Sequence, residues 1–410
     1  MKVLKFNYYD EFACTGPECP DCCCRDWRID FTKKEYLDIK KLECSPELKT
    51  LLDSAFKRTK SGDDFEYAQI VFREDGFCPM LGKDGLCMLQ KEKGESVMGF
   101  VCSAFPRNWG KVGTEAAVFT LSPTCCHVVE VLMNYPEGLA LTEEAYDGKN
   151  KWINKHLWSG GMLPPSARTF PYIWSIKTAQ LDILQNREFT IPERMLILGY
   201  YTQKVCGYLE SSPEKIEQLG AMMLDKELCG KIADSLKTPQ TEKEAATRFI
   251  DILYKAVNNV HSLGTSRRVV DLINAIANNM ELGYVKGEDG ENIVHWNTDT
   301  YARNRELYRK IEEERPYIIE NLLVNLAFAS FSKDSEELWA DYFSLVVLYN
   351  FLKTALAAFL PEDYTDTQLA IAVTYIVKIV LNANIAERII LRDFAGNNAA
   401  TLPYAAFLIN

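Results

Sequence analysis

Histidine is scarce in this 410-residue chain: His127, His156, His261 and His295 are all it has. A metal cage built from imidazoles, or a nucleophile–histidine triad, is therefore poorly supplied. Glycine-rich phosphate loops, the dinucleotide fingerprint and the paired-histidine helix of zinc proteases are missing too. Basic residues number 46 against 57 acidic ones, a formal net charge of −11, which excludes the broad basic surface that duplex nucleic acid requires. The N-terminal stretch MKVLKFNYYDEFACTG lacks an apolar core of signal-peptide length and soon meets Asp10 and Glu11, so a cytoplasmic location is expected. Long hydrophobic runs are few. The most apolar, from Phe343 to Leu360, reaches about membrane-spanning length. It carries Asn350 and Lys353 and lies among amphipathic segments, so it reads as a buried core helix and no membrane is expected.

What the chain has in excess is cysteine, and in one place. Of thirteen, eleven fall before residue 127: Cys14, Cys19, Cys22, Cys23, Cys24, Cys44, Cys78, Cys87, Cys102, Cys125 and Cys126. Only Cys206 and Cys229 lie beyond. In a reducing compartment a disulfide framework is disfavoured, and metal ligation or catalysis is preferred. The run Cys19-Pro20-Asp21-Cys22-Cys23-Cys24 crowds sulfurs whose thiolates would repel one another unless a cation or cluster absorbed their charge. Adjacent cysteines seldom both face one ion, so some members serve structure, a second centre or a resolving thiol. Cys78-Pro79 follows Asp75-Gly76, and Cys87 follows Asp84-Gly85. Turns of this kind wrap a backbone around a metal and leave amides free to bond cluster sulfurs. Zinc suits any four thiolates, but the paired zinc-ribbon spacing is absent and the surplus of thiols favours an iron–sulfur cluster. Cys44, Cys206 and Cys229 stand alone and read as buried apolar residues. His127, beside the Cys125-Cys126 pair, reads as a helix residue rather than a ligand.

Periodicity makes the chain mainly α. Short helices are expected from Phe31 to Leu42 and from Pro46 to Phe56. Strands are expected from Phe65 to Phe72 and from Ala116 to Leu121, giving the cysteine-rich region a small β element. The pattern turns helical from Cys125 to Met133. Tyr135-Pro136-Glu137-Gly138 and Ser159-Gly160-Gly161-Met162-Leu163-Pro164-Pro165 mark a connector. The expected organisation is a cysteine-rich metal-binding domain over 1–134, a linker over 135–172 and a helical domain over 173–410, with a further division near 284–296. In the last, Pro192-Glu193 opens a helix running to about Leu209. Thr241 and Glu244 form a capping box ahead of a face made by Phe249, Leu253, Ala256, Val257 and Val260. Gly287-Glu288-Asp289-Gly290 marks a turn. Long helices follow from Thr298 to Phe331, broken at Pro316, from Glu336 to Leu360 and from Thr367 to Ala386.

The order of the motifs resembles the flagellin lysine-N-methylases, whose N-terminal part is related to the CxxCxxCC family of zinc- or iron-chelating proteins. The resemblance rests on Phe12-Ala13-Cys14 through Cys19, the Cys23-Cys24 pair, Trp27-Arg28-Ile29-Asp30, Cys78-Pro79-Met80-Leu81 and Gly85-Leu86-Cys87. It continues through Gln90 to Glu95, Cys102 with Phe105-Pro106-Arg107, and Leu121-Ser122 leading to Cys125. A weaker likeness appears in Glu320-Asn321-Leu322-Leu323 with Phe328, and from Tyr342 to Leu352. Cys126 and His127 stand where the family usually has proline, Cys22 is an addition, and Glu387-Arg388 departs from the usual ending. By position the pattern selects Cys14, Cys19, Cys23, Cys24, Cys78, Cys87, Cys102 and Cys125 as metal ligands, leaving out Cys22, Cys44 and Cys126.

The resemblance implies a cytoplasmic bacterial methyltransferase. It would move methyl groups from S-adenosylmethionine to lysine ε-amines of flagellin and carry an iron–sulfur cluster, of the 4Fe-4S type, with zinc as the alternative. Trp27, Phe105 and Trp109 are candidates for an aromatic wall around the sulfonium, with core packing as the competing role. Arg107 is a candidate for the donor's carboxylate, with a surface ion pair as the competing role. A different class of function, a non-enzymatic metal-binding or redox-sensing module with a helical platform for partners, fits the surplus thiols.

Overall fold

The computed structural model describes residues 1–59, 64, 66–146, 162–239, 241–259, 266–286, 290, 292–382 and 401–410. Helices dominate, and the strands are β1 (Lys2–Phe6), β2 (Asp30–Phe31), β3 (Phe56–Arg58), β4 (Ala68–Ile70), β5 (Arg107–Val112), β6 (Ala116–Leu121), β7 (Leu141–Ala145), β8 (Met162–Leu163), β9 (Gly283–Lys286) and β10 (Asn292–His295). They form a five-stranded sheet in the order β7-β1-β6-β5-β8, a three-stranded sheet β2-β4-β3 and the hairpin β9-β10. The β structure thus exceeds the small element expected. β6, Ala-Ala-Val-Phe-Thr-Leu, is buried at every position, as a strand covered on both faces must be. It pairs in parallel with β1, Lys2 facing Ala116, and antiparallel with β5, Arg107 facing Leu121.

The segment expected as a linker carries two of these strands. β7 pairs antiparallel with β1 and β8 in parallel with β5. β7 reads Leu-Thr-Glu-Glu-Ala and is exposed throughout, so no apolar alternation announces it. Backbone pairing and the cross-strand pairs Lys2–Glu143 and Lys5–Glu144, each 2.9 Å, hold it instead. The glycines at 160 and 161 lie outside the described residues.

Helix boundaries follow the capping chemistry. Thr190 and Glu193 close a capping box on the Ile191–Ser211 helix, with Pro192 in its first turn. Thr241 and Glu244 do the same for the Glu242–Asn259 helix. Phe249, Leu253 and Ala256 of that helix are fully buried; Val260 lies outside the described residues. Pro316 divides the Thr298–Glu314 and Pro316–Ala329 helices. The helical stretch Ser335–Phe359 is the one among the described residues long and apolar enough to cross a membrane, and 78% of its apolar window is buried inside the protein.

One apolar core runs continuously from Val3 and Leu4 through the sheet into the C-terminal helices as far as Ile409. A second, smaller core gathers Ile29, Phe31, Leu48, Leu52, Ile70, Met80 and Leu89 beneath the cysteine-rich loops. The Pro316–Ala329 helix ties the helical part to the sheet through buried polar side chains. Asn321 Nδ2 donates to the carbonyls of Leu132 (3.0 Å) and Tyr135 (2.8 Å). Asn325 Nδ2 donates to the Leu121 carbonyl at 3.0 Å, while its Oδ1 accepts the Tyr8 hydroxyl. Glu320, 2% exposed, takes Arg187 in a fork (2.8–3.1 Å) and Arg194 at 2.7 Å. Buried carbonyls at the ends of strand and helix are thereby satisfied by side chains from the other unit.

Candidate functional site

Two loops, a short helix and a helix start bring the cysteines together. The 73–87 region folds back on the 16–26 region by backbone pairing. Cys78 N donates to Cys24 O and Asp26 N to Gly76 O, both at 2.9 Å, and Arg25 and Phe77 form an isolated bridge. The approach needs glycine. Gly76 has φ +82°, and a Cβ there would lie 2.2 Å from the Asp26 carboxylate. Gly85, φ +75°, lets its loop pass against Pro17, and Leu81 bridges Cys87 across that turn. Cys102 comes from the short Phe100–Ala104 helix. Cys125 is the N-cap and Cys126 the first residue of the Cys126–Met133 helix.

All thirteen cysteines are unbridged. Cys19 Sγ lies 3.8 Å from Cys126 Sγ. Cys22 and Cys23 each share a thiol hydrogen bond with Cys24. Those contacts set the acidity. A hydrogen bond from Cys126 brings the Cys19 thiol down to about 6, and one from Cys24 brings Cys22 to about 6, while Cys126 and Cys24 move up as the donors. Burial pushes Cys78 and Cys125 up to about 11. Cys102 is raised further by burial and then by repulsion from Cys78, Cys87 and Cys23. Cys125 in turn feels Cys19 and Cys23.

Of the sequence-selected set, Cys19, Cys23, Cys24, Cys78, Cys87, Cys102 and Cys125 therefore share one region. Cys14 stands apart: it is exposed, and its sulfur accepts from Gly16 N at 3.5 Å. Among the described residues, no three or more histidine, cysteine, aspartate or glutamate side chains are gathered tightly enough to hold one metal ion. Cys44 packs at the margin of the second core. Cys206 and Cys229 bond to the carbonyls of Ser335 and Met223. His127 Nδ1 meets Glu130 at 2.9 Å along its own helix.

The family pattern left out Cys22 and Cys126, which join the thiol region, and sequence reasoning passed over three charged residues beside it. Asp21, its side chain 1% exposed, is enclosed between Arg268 and Lys378. Arg268 also donates to the Cys22 carbonyl at 3.3 Å. Burial, then the neighbouring Arg268, brings Lys378 down to about 7, and the thiols of Cys126, Cys125 and Cys23 act in the opposite sense. A lone lysine inside the apolar Asp366–Asn382 helix was the available signal. Thus the helical part supplies a guanidinium and a titrating amine to a sulfur-rich region of the N-terminal part, where their protonated forms favour thiolate.

The FliB lysine N-methylase C-terminal domain family matches residues 178–406. The chain belongs to that family. The matched span includes Arg268, Lys378 and the Glu320-Asn321 pair, and it begins after the eleven N-terminal cysteines. Two lysine-N-methylases, from Salmonella typhimurium and Salmonella choleraesuis, are 23% identical over 257 residues, 61% of this chain. The alignment spans 60% of the length of each. The flagellar biosynthetic protein FliU of Salmonella muenchen is 30% identical over 160 residues, 38% of this chain and 91% of FliU. No solved structure matches.

Within this FliB-family chain, the candidate donor-site residues occupy different settings. The Trp27 ring lies 5.4 Å from the Phe105 ring and packs against the second core. Trp109 is buried in the main core. The Arg107 guanidinium sits 5.2 Å over the Phe12 ring and donates to the Phe12 carbonyl at 3.4 Å.

Proposed function

We propose that the protein is a cytoplasmic lysine N-methyltransferase that modifies a flagellar protein, flagellin, with S-adenosylmethionine as donor and a thiolate-held iron–sulfur cluster in its N-terminal part. The observation that carries the reading is membership of the FliB lysine N-methylase family over residues 178–406, together with relatives named lysine-N-methylase and a flagellar biosynthetic protein. In the reaction the sulfonium–methyl bond breaks as the nitrogen–methyl bond forms, leaving a thioether, and the amine proton passes to a base. The acceptor must arrive as a neutral amine, which desolvation favours.

The donor set supports the cluster. Unbridged soft thiols from four segments converge, some are acidified by their neighbours, and Lys378 and Arg268 offset their charge. Cys19, Cys23, Cys24, Cys78, Cys87, Cys102 and Cys125 are the residues that would hold it. A cluster spreads its ligands over a body larger than one ion, in keeping with thiols that share a region without forming a single-ion cage. When bound, it would tie the two loops, the Phe100–Ala104 helix and the 126–133 helix start together. Trp27 and Phe105, whose rings lie 5.4 Å apart, remain candidates for the aromatic wall around the sulfonium.

The experiment is intact-mass and peptide mass spectrometry of flagellin co-expressed with this protein. Methyl increments on flagellin lysines are expected, and their absence in the presence of soluble, metal-loaded protein would reject the activity. The 3.8 Å approach of Cys19 and Cys126 favours a second reading, a redox-sensing module. That reading predicts reversible thiol oxidation and no binding of S-adenosylmethionine.

A further inference from the structure

A cavity of about 270 Å³ lies where β5 and β6 meet the Ile173–Leu184, Pro316–Ala329 and Ser335–Ala355 helices. Leu198, Leu345 and Leu348 contribute to its apolar wall, and Lys177, Gln180 and Asp341 contribute polar groups. Lys177 is 3% exposed. Its ammonium donates to the Ala327 carbonyl at 2.6 Å and sits 5.2 Å from the centre of the Phe331 ring. That carbonyl uses one of three N–H donors. Asp341 is close enough to act on Lys177 electrostatically, yet among the described residues no ion pair joins them. Instead, Asp341 Oδ2 accepts from the hydroxyls of Ser330 and Ser332. Gln180 is 7% exposed, and its side-chain carbonyl oxygen has no partner.

A buried ammonium with donors to spare and a buried amide oxygen without a partner are costly in an apolar setting unless something completes them, and the half-buried Asp341 carboxylate stands beside them. One ligand group answers all three. We propose that this cavity receives the zwitterionic α-amino-acid group of a small molecule, its carboxylate on Lys177 and its ammonium on Asp341 and the Gln180 carbonyl. The volume falls just under the roughly 300–1,000 Å³ of whole-ligand pockets, so the cavity takes an amino-acid-sized part of a ligand. The leucine wall suits the methylenes of such a group. Under the methyltransferase reading, on which this choice of source rests, the ligand is the methionyl end of S-adenosylmethionine. A free amino acid is the other source.

The test is calorimetric titration of the 410-residue protein with S-adenosylhomocysteine, L-methionine, L-lysine and 5′-methylthioadenosine, the last lacking the amino-acid group. S-adenosylhomocysteine should bind, methylthioadenosine should not, and Lys177→Met should weaken binding about 10–100-fold, the span for a charged hydrogen bond. Asp341→Asn, which keeps an oxygen for the serine hydroxyls, should weaken it in the same direction and serves if Lys177→Met fails to fold. If only L-methionine or L-lysine binds, and Lys177→Met or Asp341→Asn removes it, the cavity assignment stands and the donor assignment falls. Equal binding of methylthioadenosine, wild-type affinity in a folded Lys177→Met or Asp341→Asn protein, or no binding of any amino-acid probe overturns the assignment.

Discussion

Replacing Glu320 with alanine tests whether its buried carboxylate is a structural clamp. The Glu320 carboxylate is 2% exposed and is held by Arg187 and Arg194. Deleting one partner of a buried pair typically costs about 3–5 kcal/mol, because the other charge stays behind unpaired. Two features place this site at the low end. Arg187 is 43% exposed, so water replaces much of what it loses. Arg194 is buried but also donates to the carbonyls of Phe189 (2.7 Å) and Leu184 (3.0 Å). The expected loss is therefore about 3 kcal/mol. An unfolding entropy of ~2.1 cal/mol/K per residue over the 410 residues gives ~0.9 kcal/mol/K, so the melting temperature should fall by about 3–4 °C. Scanning calorimetry with urea titration would measure it. Glu320→Gln, which keeps an acceptor for both arginines without the charge, should lose less than Glu320→Ala. A fall below about 1 °C for Glu320→Ala would refute the clamp.

Two further expectations concern ionisation. Burial lowers Lys177 from its ordinary 10.5 to about 8. Between those values the unfolded chain holds a proton the folded chain has released, so stability rises with pH across that window. At ~1.4 kcal/mol per pH unit, wild type should gain up to about 3 kcal/mol on Lys177→Met between pH 7.5 and 10.5 in urea titrations; a constant difference would contradict it. In metal-free protein at pH 7, iodoacetamide should modify Cys19 and Cys22, each near 6, well before Cys78 and Cys125, each near 11. Peptide mapping that finds Cys125 labelled first would show the thiol contacts to be otherwise.

Much of the helical architecture was legible because its signals are local. The capping boxes at Thr190 and Thr241, the break at Pro316 and the apolar Phe249 face each act within a few residues. β6 was legible from a short β-rich run. β1 and β7 were not: one is brief and the other fully exposed, and both exist through pairing with partners more than a hundred residues away. The same distinction applies to the site. Cysteine spacing pointed to the region but not to Asp21, Arg268 and Lys378, whose meeting spans over three hundred residues. The family resemblance selected Cys14, whose sulfur accepts from Gly16 N, and left out Cys126, which lies against Cys19. The Lys177 cavity left no motif because Lys177 and Gln180 come from one helix and Asp341 from another far along the chain.

Iron and acid-labile sulfide analysis of anaerobically purified protein, alongside its visible spectrum, tests the proposed centre most directly. The account predicts matched iron and sulfide in wild type and in Cys44→Ser, with both lost in Cys78→Ser and Cys102→Ser proteins that remain folded. Colourless wild-type protein free of iron and sulfide, or a full complement of both in the Cys78 and Cys102 variants, would contradict it.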